Sequence, residues 1–234
     1  MERAVSGRPW LLTTETGPAG LLHAGSAALV SAPGPPAPAV RVLEAASPAL
    51  VLGSAQPDSV ADADALALAG VELARRRSGG GAVLVGPGLV LWVDFVIPAG
   101  DPLWDDDVSR AAWWVGDAWA EALEATGIAG GEVWRGPMRR SAHSSLVCFS
   151  GMGPGEVGVG GRKVVGIAQR RTRHAALFQT AALLEWDPGA TLDLLRLPTA
   201  ERSRAAELLA PACLGVGSGR RGPLEAALLR AVGY

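Results

Sequence analysis

The tetrapeptide Val159-Gly160-Gly161-Arg162 constrains this chain more than any other stretch. Two adjacent glycines supply positive φ at both central positions of a two-residue turn, and the runs on either side, Glu156 to Val159 and Lys163 to Arg170, alternate in polarity. An antiparallel hairpin is the reading. Further strand candidates follow the same logic. Leu89 to Ile97 sets Leu91, Val93, Phe95 and Ile97 against Trp92 and Asp94 before Pro98 closes it. Val71 to Arg77, Ser78-Gly79-Gly80-Gly81 and the apolar run after them read as strand, glycine loop, strand. Val133 to Arg135, Ser145 to Phe149 and Ala175 to Leu184 complete the set, while Val40 to Leu43 and Ala49 to Gly53, parted by Ser47-Pro48, read as a second hairpin.

Helical candidates lie between these runs. Ala19 to Val30 precedes a Pro-rich loop, Ser31 to Pro38, that cannot be regular structure. Val60 to Ala69 starts near Asp58 or Ser59 as N-cap. Asp105-Asp106-Asp107 opens a helix running to about Thr126, with acids at its positive end, Gly127 past its last turn, and Trp113, Trp114 and Trp119 as core anchors. Leu192 to Leu195, Thr199 to Leu209 and Pro223 to Val232 follow. The expectation is a single α+β domain over residues 1–234, with a central mixed, mainly antiparallel sheet, helices on its faces and no C-terminal accessory domain.

Charge and cysteine content exclude several functions. The 21 basic and 23 acidic residues nearly balance, and no block of five like charges occurs, so neither nucleic acid nor a membrane surface is an expected partner. Cys148 and Cys213 are too few for a disulfide scaffold and match no zinc spacing, and His23 and His174 show no ligand spacing, so no metal is expected. No basic segment followed by an apolar run opens the chain, and the internal apolar runs are far short of a membrane span. A cytoplasmic protein is expected.

One compositional oddity points at chemistry. Of the 21 basic residues 20 are arginine, and Lys163 is the single lysine. A coding bias that replaces lysine by arginine would spare a lysine whose compact ammonium a planar guanidinium cannot replace. Lys163 stands at the mouth of the hairpin, followed by small residues, Gly166 and Ala168, that permit close approach to a ligand. In the glycine loop, Arg75, Arg76 and Arg77 precede Ser78 and three glycines, a pattern suited to an anion or carboxylate but lacking the Walker ending and the dinucleotide spacing.

Together the two segments resemble the lipoate–protein ligase and octanoyltransferase branch of the biotin and lipoate protein ligase superfamily. Arg76-Arg77-Ser78-Gly79-Gly80-Gly81-Ala82-Val83 is similar to that family's RRxSGGGAV loop, and Gly161-Arg162-Lys163-Val164-Val165-Gly166-Ile167-Ala168-Gln169 to its lysine segment. Gly53-Ser54-Ala55-Gln56 echoes the Gly-x-x-Gln that precedes the loop. The resemblance implies a sheet related to class II tRNA synthetases and a pocket for a medium-chain acyl group lined by Arg76, Arg77, Ser78 and Gly79 to Leu84, with Lys163 on the carbonyl and phosphate oxygens. It implies lipoate or octanoate as acyl substrate and, as acceptor, a lipoyl-carrier domain of the glycine cleavage H-type or the 2-oxoacid dehydrogenase E2 type. The first expectation is a ligase that activates the acid with ATP and Mg2+ as an adenylate. The alternative is an ATP-independent octanoyltransferase fed by acyl carrier protein, with Cys148 carrying the acyl group as a thioester and His143 either a base or a polar surface residue of its Ser-rich loop. Leu84-Val85-Gly86-Pro87-Gly88 stands where ligases have an aromatic-His-Asp-x-Gly-Asn run, which weakens the ATP route and also admits a non-catalytic acyl-binding module. Cys213 is assigned to packing.

Overall fold

In the computed structural model, which describes residues 10–234, the strands sort into two sheets. The chain runs β1 (Leu11–Gly17), α1 (Ala19–Ser31), β2 (Ala39–Ala45), β3 (Ala49–Leu52), α2 (Ala63–Ala69), β4 (Glu72–Arg75), β5 (Val83–Val85), β6 (Val90–Pro98), α3 (Trp113–Ala125), β7 (Gly131–Val133), β8 (Val157–Val159), β9 (Arg162–Arg171), β10 (Ala175–Leu183), α4 (Pro188–Leu192), α5 (Thr199–Leu209) and α6 (Arg221–Ala231). The larger sheet has the order β1-β2-β6-β10-β9-β8-β7, with only β1 and β2 parallel. The smaller has the order β4-β3-β5, with β3 and β4 parallel. This is the expected α+β class with a mixed, mainly antiparallel sheet.

The expected hairpin is β8 and β9, turning at Gly160 (φ 56°) and Gly161 (φ 77°) as a two-glycine turn requires. β6 is buried along its whole length, so its alternation separates two cores rather than core from solvent. Leu91, Val93, Phe95 and Ile97 pack with Trp114, Trp119 and Leu228 under α3 and α6. Trp92 faces the other way, into a cluster with α1 and the small sheet that contains Leu22, Val51, Val85 and Phe149. Asp94 shares that second face and is fully buried.

Several local expectations are corrected. β2 and β3 do not form a hairpin; Ser47-Pro48 carries the chain from the large sheet into the small one. α2 starts at Ala63, because the Asp62 side chain accepts from the Asp64 and Ala65 N–H groups, so neither Asp58 nor Ser59 is its cap. The Asp105–Asp107 run does not open α3. Asp105 and Asp107 accept backbone N–H groups two and three residues ahead, from Asp107, Ser109 and Arg110, which holds turns there until a single 3-10 turn leads into Trp113. Ser145 to Phe149 is not a strand: Val147 makes one bridge to Ala82, and Cys148 opens a 3-10 turn. The helix expected at Leu192 to Leu195 lies earlier, at α4 with Asp187 as its cap. β1 was not anticipated. Among the described residues no helix is long and apolar enough to cross a membrane. The reading of the chain's opening as leaderless concerns residues 1–9, which lie outside the described residues.

Candidate active site

The glycine loop, Arg76 to Gly81, joins β4 to β5 and is wound around its own arginine. The Arg76 guanidinium is buried and donates to the carbonyls of Gly79 at 2.7 Å, Gly81 at 2.8 Å and Val51 at 3.3 Å. A Cβ on Gly81 would lie 2.6 Å from the Val147 backbone, so only glycine lets the two segments touch. They are then stitched together: Ala82 N–H donates to the Leu146 carbonyl and Cys148 N–H to the Ala82 carbonyl, both at 2.8 Å. Gln56, from the Gly53-Ser54-Ala55-Gln56 echo, accepts from Gly53 N–H and donates to the carbonyls of Ser145 and Leu146.

This stitching brings Cys148 to the junction of the two sheets. Its thiol lies 3.8 Å from where a Gly80 Cβ would stand. Half-buried, it borders an apolar cavity whose walls include Val83 and Val85 of β5, Trp92 of β6, Phe149, Gly166 and Ala168 of β9, and Arg76. Lys163 lies behind Cys148 rather than on that cavity. Its Nζ is 2.6 Å from Glu156 Oε2, donates to the Gly151 carbonyl at 3.0 Å and the Cys148 carbonyl at 3.3 Å, and sits 5.0 Å from the centre of the Phe149 ring. It borders a second, polar cavity with Arg139, Arg140 and Ser141.

The other residues singled out in the sequence separate. Ser78 is buried and donates to Gln179 Oε1 at 3.1 Å. Arg77, Gly79 and Gly80 are exposed on the loop. Ala82 is fully buried, and Leu84 joins it around a third cavity beside Trp186 and Thr191. His143 sits in the turn before Leu146, its carbonyl accepting from Leu146 and Val147, and does not border the apolar cavity. Cys213 is buried and donates its thiol to the Phe149 carbonyl at 3.2 Å; burial pushes its pKa up to about 12.

Sequence reasoning missed the wall behind the apolar cavity. Gln179 Nε2 donates to His23 Nδ1 at 2.9 Å and to Asp94 Oδ2 at 3.4 Å, linking the glycine loop through Ser78 to α1 and β6. His23 lies on Trp92 with ring centres 4.3 Å apart, and burial, reinforced by Arg76 and Arg41, lowers its pKa to about 3. Burial raises the Asp94 pKa to about 6 even though Ser26, Trp92 and Gln179 all donate to it. The one available signal was Asp94 itself, a charge inside an apolar strand. Glu156 was passed over as a strand residue.

Residues 27–211 match the lipoyl protein ligase A/B catalytic domain. The chain belongs to this family. Among its relatives, the octanoyltransferase LipM of Clostridioides difficile is 26% identical over 156 residues, which is 66% of this chain and 57% of that protein. The match thus spans little more than half the length of that relative. Two solved lipoate protein ligases share the family member's fold. The bi-partite enzyme of Thermoplasma acidophilum superposes with a TM-score of 0.72 at 19% identity, covering 96% of this chain and 82% of that one. Lipoate-protein ligase A bound with ATP gives 0.67 at 21% identity, covering 95% and 83%.

Proposed function

We propose that this family member moves an octanoyl or lipoyl group onto a lysine of a lipoyl-carrier domain through a thioester on Cys148. One observation carries the reading: the Cys148 thiol opens onto an apolar cavity beside the glycine loop. The similarity to an octanoyltransferase supports it. In the first step Cys148 Sγ attacks the carbonyl of an acyl thioester; a new C–S bond forms, the bond to the donor sulfur breaks, and the donor thiol leaves with the proton. In the second the acceptor's lysine amine attacks the Cys148 thioester, an amide forms, and Cys148 recovers its thiol with a proton from the amine. No nucleotide enters this balance. The apolar cavity would hold the alkyl chain, and the buried Arg76 would keep the loop in shape around it.

The adenylate route also has an observation on its side, since Lys163, Arg139 and Arg140 border a polar cavity that could take a phosphate. The two routes separate by intact mass spectrometry of a lipoyl domain incubated with the protein. With octanoyl-acyl carrier protein and no ATP, the thioester route predicts an octanoylated domain and an acylated Cys148, both lost in Cys148→Ala. Modification only with octanoate or lipoate, ATP and Mg2+, undiminished in Cys148→Ala, would replace the proposal by the ligase reading. Acyl binding without transfer from either donor would make this a binding module.

A further inference from the structure

A lysine ammonium has three N–H donors. At Lys163 three acceptors meet it: the Glu156 carboxylate, the Gly151 carbonyl and the Cys148 carbonyl. The two carbonyls belong to the ends of the turn that presents the thiol, so the ammonium draws Cys148 and Gly151 toward one point. What fixes that point is Glu156. Its Oε1 accepts from Ile167 N–H of β9 at 3.1 Å, and its Oε2 accepts from Gly153 N–H as well as from the ammonium. The Lys163 and Glu156 side chains are only 4% and 5% exposed, so each charge depends chiefly on its protein partners. Otherwise the turn is held by few bonds, chiefly Cys148 N–H to Ala82 and Ser150 to Val147.

We propose that Glu156 is a positioning residue, which anchors the Lys163 ammonium under the Cys148–Gly151 turn and thereby sets where the thiol meets the acyl carbonyl. The proposal rests on the thioester reading. It gives Lys163 a task other than general base, since a proton acceptor cannot at once be the charged clamp of two carbonyls. Arg139 and Arg140 border the same polar cavity, and the Cys213 thiol contacts the turn through the Phe149 carbonyl.

The test is rapid-quench measurement of acyl-Cys148 formation from octanoyl-acyl carrier protein in the full-length protein. Glu156→Gln is expected to slow acylation on the order of 100-fold, the effect of misplacing a reacting group by about 1 Å, with the donor KM unchanged. Glu156→Asp restores part of the rate, because it returns the anchor's charge. Lys163→Met combined with Glu156→Gln removes both buried charges together and is expected to be no slower than Lys163→Met alone. Acylation at the parental rate in Glu156→Gln, or in the folded double variant, would overturn the proposal. So would effects of the two substitutions that simply multiply. Alkylation of Cys148 by iodoacetamide, read by peptide mapping, separates this from the thioester reading. If the parent forms no acyl-Cys148 yet Glu156→Gln changes the alkylation rate, the clamp stands and the thioester route falls; an unchanged alkylation rate overturns the clamp.

Discussion

His23 and Asp94 face the same carboxamide, Gln179, and burial drives both toward their neutral forms. Their effects on stability run in opposite directions. The unfolded chain takes up a proton on His23 near pH 6.5 and the folded one only near 3, so the fold loses about 1.4 kcal/mol per pH unit as pH falls through that window. Asp94 is protonated near pH 6 when folded and near 3.8 when unfolded, so it strengthens the fold at a similar rate as pH falls through that narrower window. Between about pH 4 and 6 the two nearly cancel. Urea unfolding across that range should therefore show Asp94→Asn losing stability relative to the parent as pH drops, and His23→Gln gaining it. Parallel curves for all three proteins would contradict these assignments. Lys163 stands out in the sequence as the single lysine, inside a short motif, and Cys148 as one of only two cysteines, 15 residues before it. His23 and Gln179 do not stand out, because they lie 156 positions apart and acquire meaning only when α1 covers β10.

At the scale of elements, strands and the glycine loop were legible wherever turn chemistry and alternation agreed, as at Gly160-Gly161. They were misread where local side-chain bonding or tertiary pairing won. The acidic run before α3 reads as a helix start yet closes turns on itself, and the segment around Cys148 has strand composition but finds only one bridging partner. The loop offers a graded test. Gly79 has open space where a Cβ would go and no positive φ, whereas a Cβ on Gly81 would strike the Val147 backbone. Gly79→Ala should leave unfolding free energy within about 0.5 kcal/mol of the parent. Gly81→Ala should cost roughly 1–3 kcal/mol and pry the loop from the Cys148 segment, with acyl transfer falling alongside. Equal tolerance of both substitutions in denaturation and turnover would mean that the loop and the Cys148 segment do not need their close approach.

In the molecule as a whole, the two sheets supply different halves of the candidate site. The small sheet brings the glycine loop and β5, and the large one brings Trp92, Gly166, Ala168 and Gln179. The sequence revealed most of the strands but not this division, because Ser47-Pro48 reads equally well as a hairpin turn and as a crossing between sheets. An acyl chain in the cavity would bridge the halves. Hydrogen exchange on the acylated protein should therefore slow at β5 and the Cys148–Gly151 turn while α6, on the opposite face of the large sheet, is unaffected. Uniform protection, or none, would argue against a chain lodged between the sheets. The burial of Lys163 bears on this acylated state as well. A protein that holds an activated acyl group for delivery to an amine risks acylating itself, and arginine, which supplies the other 20 basic side chains, is a poor nucleophile at neutral pH because it stays protonated. The one side-chain amine in the chain is buried and ion-paired with Glu156. Long incubation with acyl donor and no acceptor should leave Lys163 unmodified in peptide maps, so that the activated group waits for an outside lysine or for water.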